Sequence, residues 1–108
     1  MVLLTPKQMY DSLSILMRHR NYTQAKVKCY DILNTYPDSL QSIYAIPKLF
    51  LATIGSDTTT NTAQQLKTYY EGLILNHPTN TALVTRANYF IQKCKVRFRD
   101  YNSALTGF

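Results

Sequence analysis

The stretch Cys29-Tyr-Asp-Ile-Leu-Asn-Thr-Tyr-Pro-Asp-Ser39, written CYDILNTYPDS, has a partner in Tyr69 to Asn80, YYEGLILNHPTN, matched with one residue of slippage. Ala25 lies twelve residues before Pro37, and Leu66 lies twelve before Pro78. Each interval reads as a helix with aromatic or apolar residues facing inward. Each is ended by a proline, which has no N–H to continue the helical ladder. Recurrence of a helical unit at a spacing of roughly 20–50 residues is how stacked helix pairs appear in a sequence.

Working outward, Thr5-Pro6 reads as a helix start, a hydroxyl cap followed by proline at the first helical position. Met9, Leu13, Leu16 and Met17 then recur at helical spacing and predict a first helix over about 6–19. From Tyr22 the stripe Tyr22, Ala25, Cys29, Ile32, Leu33 and Tyr36 predicts a second helix, closed by Pro37. A third segment, Leu40 to Ile54, sets Leu40, Ile43, Tyr44, Pro47, Leu51 and Ile54 on one face, and Pro47 is expected to kink or divide it. The polar run Gly55–Asn61 reads as a surface loop, with Asn61 or Thr62 capping the next helix. A fourth helix over about 63–77 turns Leu66, Tyr69, Tyr70, Leu73 and Ile74 inward, and a fifth runs from about Asn80 to Arg99 with Leu83, Val84, Ala87, Ile91, Cys94 and Phe98 on one side. No segment alternates as a strand does.

A second echo joins Arg20-Asn-Tyr-Thr-Gln-Ala25 (RNYTQA) to Arg99-Asp-Tyr-Asn-Ser-Ala104 (RDYNSA). Both read as joints between helices, the second opening a short sixth helix. In these residues the chain resembles the tetratricopeptide repeat family, whose units are helix-turn-helix pairs of about 34 residues. The family pattern has a large apolar residue early in its first helix, a joint of the type G-[DN]-Y-x-x-A, an aromatic four residues on and a closing proline. Met9, the joint RNYTQA, Ile32 and Pro37 fit a first unit at about 6–38. Arg20 stands in place of the joint glycine, Cys29 in place of the aromatic and Leu13 in place of a small residue. Leu66, Tyr70, Leu73 and Pro78 fit a second unit at about 41–79, with 55–61 as an insertion. Residues 80–108 offer a third, with its joint four residues late and its last helix cut short.

The resemblance implies an all-α fold: antiparallel hairpins stacked as a short right-handed solenoid, about five helices plus a short C-terminal sixth, in a single domain. It also implies a concave groove displaying Lys7, Tyr10, Ser14 and Arg18 from the first unit, Tyr44 and Lys48 from the second, and Tyr89 and Lys93 from the third. Arg86 and Arg97 share the helical strip of Lys93, since positions seven and eleven residues apart differ by only about 20–40° around a helix. Such a groove would meet the carboxylates of an acidic or amphipathic protein segment with Lys and Arg and cover its apolar anchors with tyrosine. The family's clamp for chaperone tails needs an asparagine where this chain has Ser14. Ala104, Leu105 and Phe108, on the shortened last helix, would seek cover from a partner, a second copy or further chain.

Composition bounds the alternatives. Twelve Lys and Arg against six Asp and Glu leave a formal charge of +6, which favours acidic partners of any kind. A small basic helical protein associated with RNA or DNA is therefore the competing reading, although neither an RNP motif nor a zinc finger occurs. A third reading, compatible with the first, is the N-terminal part of a larger array in a multiprotein complex. The carboxylates Asp11, Asp31, Asp38, Asp57, Glu71 and Asp100 are dispersed, His19 and His77 sit at helix ends, and no phosphate loop or nucleophile motif is present. We expect no catalytic site, no metal and no cofactor. Cys29 and Cys94 lack CxxC company and read as buried free thiols. The apolar opening MVLL is too short for a signal peptide or a membrane span, so the expected setting is cytoplasm or nucleus.

Overall fold

The computed structural model describes residues 4–56 and 60–105, with side chains placed for 4–56 and 62–96. The described residues form five helices and no strand: α1 (Pro6–Arg18), α2 (Tyr22–Thr35), α3 (Leu40–Ser56), α4 (Thr60–Asn76) and α5 (Thr81–Leu105). They fall into two compact units, Met1–Ser56 and Asp57–Phe108. The first holds α1, α2 and α3; the second holds the pair α4 and α5.

α1 begins as its sequence predicts. The Thr5 hydroxyl accepts the Gln8 N–H at 3.1 Å and the Gln8 side chain accepts the Thr5 N–H at 2.8 Å, a reciprocal capping box with Pro6 just inside. The helix ends at the RNYTQA joint. There the Asn21 N–H returns to the Leu16 carbonyl at 2.9 Å and the Arg20 N–H to Met17 at 3.1 Å. These two bonds define a Schellman ending, which needs a left-handed residue between them. That residue is Arg20, at φ 58°.

The proline corners use a different device, and use it twice. After α2, the Tyr36 N–H bonds to Ile32 at 2.9 Å, the Ser39 N–H to Tyr36 at 3.1 Å, and the Ser39 hydroxyl caps the Ser42 N–H at 3.1 Å. After α4, His77 bonds to Leu73 at 3.0 Å, Asn80 to His77 at 3.1 Å, and the Asn80 side chain caps the Leu83 N–H at 3.2 Å. Every partner in one corner stands 41 residues from its counterpart in the other. The match needs no slippage: Ala25 and Leu66, Cys29 and Tyr70, and Ile32 and Leu73 are equivalent, and all six are buried. The corners of the hairpins α2–α3 and α4–α5 thus repeat one local arrangement.

Two expectations are corrected. RDYNSA is not a joint: residues 99–104 continue α5, so no sixth helix opens there, and Ala104 and Leu105 belong to α5 while Phe108 lies outside the described residues. The loop expected over 55–61 is shorter, because Gly55 and Ser56 finish α3 and Thr60 and Asn61 begin α4, ahead of the expected cap. α3 runs undivided through Pro47.

The apolar stripe of α3 also faces away from the core. The buried residues of α3 are Ser42, Ala45, Ile46, Leu49, Ala52 and Thr53. At about 100° per residue these lie on the side opposite Leu40, Tyr44, Pro47 and Leu51. Two buried hydroxyls are satisfied locally: Ser42 donates to the Pro37 and Ser39 carbonyls, each at 2.7 Å, and Thr53 to Leu49 at 2.7 Å. The tail of α3 closes on the joint tyrosine, for a methyl group on Gly55 would sit 2.6–2.9 Å from the Tyr22 ring.

Candidate partner-binding surface

The first unit gathers part of the predicted groove. Lys7, Tyr10, Ser14 and Arg18 follow one another at intervals of three and four along α1 and so share one face. Tyr10 and Ser14 are half-buried, and Lys7 and Arg18 are exposed. Tyr10 reaches α3, where its ring lies 5.9 Å from that of Tyr44, tilted by 57°. Tyr44 stays 41% exposed, so the pair forms a partly open aromatic floor. Lys48, one turn further along α3, is half-buried, and its charge acts on the Cys29 thiol of α2. Lys7 is not a free cation: its ammonium pairs with Asp11 at 3.2 Å. Both partners are largely solvated, so that pair adds little to stability.

Other residues predicted to bind a partner lie in the second unit, on α5. Arg86, Tyr89 and Lys93 stand at intervals of three and four. Arg86 is half-buried; Tyr89 and Lys93 are exposed. The Lys93 ammonium lies 5.3 Å from the centre of the Tyr89 ring, within cation–π range. Phe90 meets Tyr89 edge to face at 5.1 Å and also lies 6.4 Å from the ring of the fully buried Tyr70. Thr85, Arg86, Tyr89 and Phe90 line a recess of about 350 Å³. Arg97 lies further along α5, and its side chain is outside the described residues.

The tyrosines expected to pack do so to different depths. Tyr70 is fully buried, while Tyr22, Tyr36 and Tyr69 are half-buried. The Tyr36 hydroxyl donates to the Leu4 carbonyl at 2.7 Å and ties the start of the chain to the first proline corner. The sequence set Leu40 and Leu51 on one apolar face of α3 without showing that this face is the outward one, where they are 56% and 47% exposed. The face itself shows in their spacing: Leu40, Tyr44, Pro47, Leu51 and Ile54 succeed each other at four, three, four and three residues.

The thiols are chemically quiet. Burial pushes Cys29 up to about 12, against a small opposing pull from Lys48, and pushes Cys94 up to about 11, against a pull from Lys67. Neither is a thiolate near neutral pH. Among the described residues no three His, Cys, Asp or Glu side chains cluster as metal ligands would, and no helix is long and apolar enough to cross a membrane. Compared with protein families, curated proteins and solved structures, the chain matches none of them.

Proposed function

We propose that this chain is a non-catalytic interaction module, an all-helical scaffold of tetratricopeptide-like hairpins that binds an acidic or amphipathic segment of a protein partner. The observation that carries the reading is the placement of open tyrosines among cations: Tyr44 against Tyr10 with Lys48 one turn away, and Tyr89 beneath Lys93 with Arg86 alongside. Tyrosine covers apolar surface at low entropic cost, and lysine and arginine supply the complementary charge. Arg20 supports the tetratricopeptide-like part of the reading, because it takes the left-handed conformation at the joint position that the resembled pattern gives to glycine.

The test is a binding titration with two probes, an acidic peptide containing leucine and phenylalanine anchors and a generic single-stranded RNA of equal charge. Saturable binding of the peptide, weakened in the Tyr44→Ala and Lys48→Ala double variant with helicity intact, supports the module. Preference for the RNA, with affinity falling steeply as salt rises, sinks it in favour of a nucleic-acid role.

A further inference from the structure

α3 is apolar on two opposite faces, and the fold uses one of them. Ser42, Ala45, Ile46, Leu49, Ala52 and Thr53 pack inside the first unit. Leu40, Tyr44 and Leu51 stay exposed on the other side, with Ile43, Pro47 and Ile54 half-buried beside them. A helix that is apolar all round is normally covered all round. The outward residues Leu40, Tyr44, Pro47, Leu51 and Ile54 alternate steps of four and three. That is the a/d spacing by which one helix packs its knobs along another.

The charges beside the stripe select its cover. Within α3 the only ionised side chain is Lys48, and no carboxylate occurs between Leu40 and Ser56. Tyr10 of α1 closes on Tyr44 at one flank, with exposed Arg18 further along the same face of α1. The single carboxylate beside Tyr10, Asp11, is held by Lys7. A second copy fits poorly, because two such stripes packed antiparallel about Pro47 would set Lys48 near its own counterpart, and like charges oppose each other. Pro47 adds a polar feature, since it has no N–H to offer the Ile43 carbonyl.

We infer that the outward stripe of α3 is a docking seam for one amphipathic helix of a partner protein, which lays its own a and d residues on Leu40, Tyr44, Pro47, Leu51 and Ile54 and carries Glu or Asp on the flanks facing Lys48 and Arg18. The inference rests on the interaction-module reading and narrows it from an acidic segment of any shape to a helix of about two heptads. Partner residues at the centre of the seam exclude water from Leu51 and Tyr44, and the flanking carboxylates set orientation.

The experiment uses the full chain and three synthetic peptides of about sixteen residues. The first has leucine at a and d with glutamate flanks, the second is its scramble with identical composition, and the third is the first with proline at its centre. The expected result is tightest binding of the first peptide with a gain of helicity, and a loss of about tenfold or more for the second and third. Leu51→Glu and Leu40→Glu in the chain, both at exposed positions, should abolish binding without changing its circular dichroism, whereas Leu75→Glu, at an exposed leucine of α4, should leave it intact. Equal binding of all three peptides overturns the helical seam and leaves the acidic-segment reading standing. Absence of binding by all three overturns both. Concentration-dependent self-association in sedimentation, lost in Leu51→Glu, makes the occupant a second copy and overturns the inference.

Discussion

The hairpins α2–α3 and α4–α5 share three corner bonds at equivalent positions, yet their cores are filled differently. In the first, α1 packs against the pair and brings Met9 and Leu13 into the core beside Ala25, Cys29, Ile32 and Leu33. In the second, Leu66, Tyr70 and Leu73 meet Leu83, Ala87, Ile91 and Cys94 across a single seam. The second hairpin puts a large ring where the first has a thiol, Tyr70 for Cys29. The difference teaches that the corner specifies the hairpin, while the residue at each inward position sets how its core is filled, and the Tyr70 ring fills more of the second core than the Cys29 thiol fills of the first.

The largest expected effect tests that difference. Tyr70→Ala removes a fully buried aromatic side chain and should cost about 3–5 kcal/mol. Hydrogen exchange should show protection lost through α4 and α5 and kept in α1 to α3. Cys29→Ala at the equivalent position should cost much less. Equal damage from the two would mean that the hairpins do not divide their stability in this way.

Next in size is a pair of glycines with opposite signs. Gly55 lies in the last turn of α3 beneath the Tyr22 ring, where a methyl group would fall within 3 Å of three ring atoms. Gly55→Ala should therefore destabilise by about 1–3 kcal/mol through overpacking. Gly72, inside α4, has nothing within 4 Å of the same methyl position. Gly72→Ala should stabilise by about 1 kcal/mol, the difference in helix propensity. Urea denaturation of both variants compares a helix locked against its neighbour with one that faces open space.

The cysteines compare the units by titration. Both thiols are held neutral by burial, with the folded values raised from 9.0 to about 12 for Cys29 and about 11 for Cys94. A raised thiol means that the unfolded chain loses its proton first. Stability is therefore full below about pH 9 and falls as pH rises through the interval up to the folded values. By pH 10 each thiol should cost about 1.4 kcal/mol. Unfolding midpoints of Cys29→Ala and Cys94→Ala across pH 8 to about 10 isolate each contribution. The loss with pH should be smaller in each variant than in the parent chain.

Much of this architecture was legible because its chemistry is local. A cap at Thr5, proline two residues past the ends of α2 and α4, and inward stripes at helical spacing all come from a few neighbouring residues. The reading of RDYNSA failed for the same reason: nothing in it forbids a helix, and α5 runs on through it. The facing of α3 was not legible from apolar content alone, because both of its sides are apolar. Ile46 and Leu49 fill the middle of the packed side, and small residues flank them. Ser42, Ala45, Ala52 and Thr53 turn inward, where α2 approaches closely, and Leu40, Tyr44 and Leu51 are left outside. Small residues at a helix crossing permit a shorter interaxial distance. Of the candidate surface, the tyrosines and lysines were read from the sequence, whereas the outward leucines emerged only once the packed side was known.

The smallest effect concerns the joint that is not a proline corner. Arg20 sits at φ 58°, a conformation that costs a non-glycine residue about 1 kcal/mol because its Cβ crowds the following carbonyl. The Schellman bonds from Asn21 to Leu16 and from Arg20 to Met17 hold it there, and the Asn21 side chain bonds to Gln24 at 3.0 Å beyond it. Arg20→Gly relieves the crowding but also frees the unfolded chain, so the net gain should be about 0.5–1 kcal/mol. Arg20→Ala should be near neutral, since alanine has the same Cβ and Arg20 is exposed. The difference in denaturation midpoint between the glycine and alanine variants therefore measures the strain of the joint itself. A joint that tolerates Ala and Gly equally would mean that the left-handed turn does not by itself end α1, and the proline corners would then be the only hairpin device with a local cause.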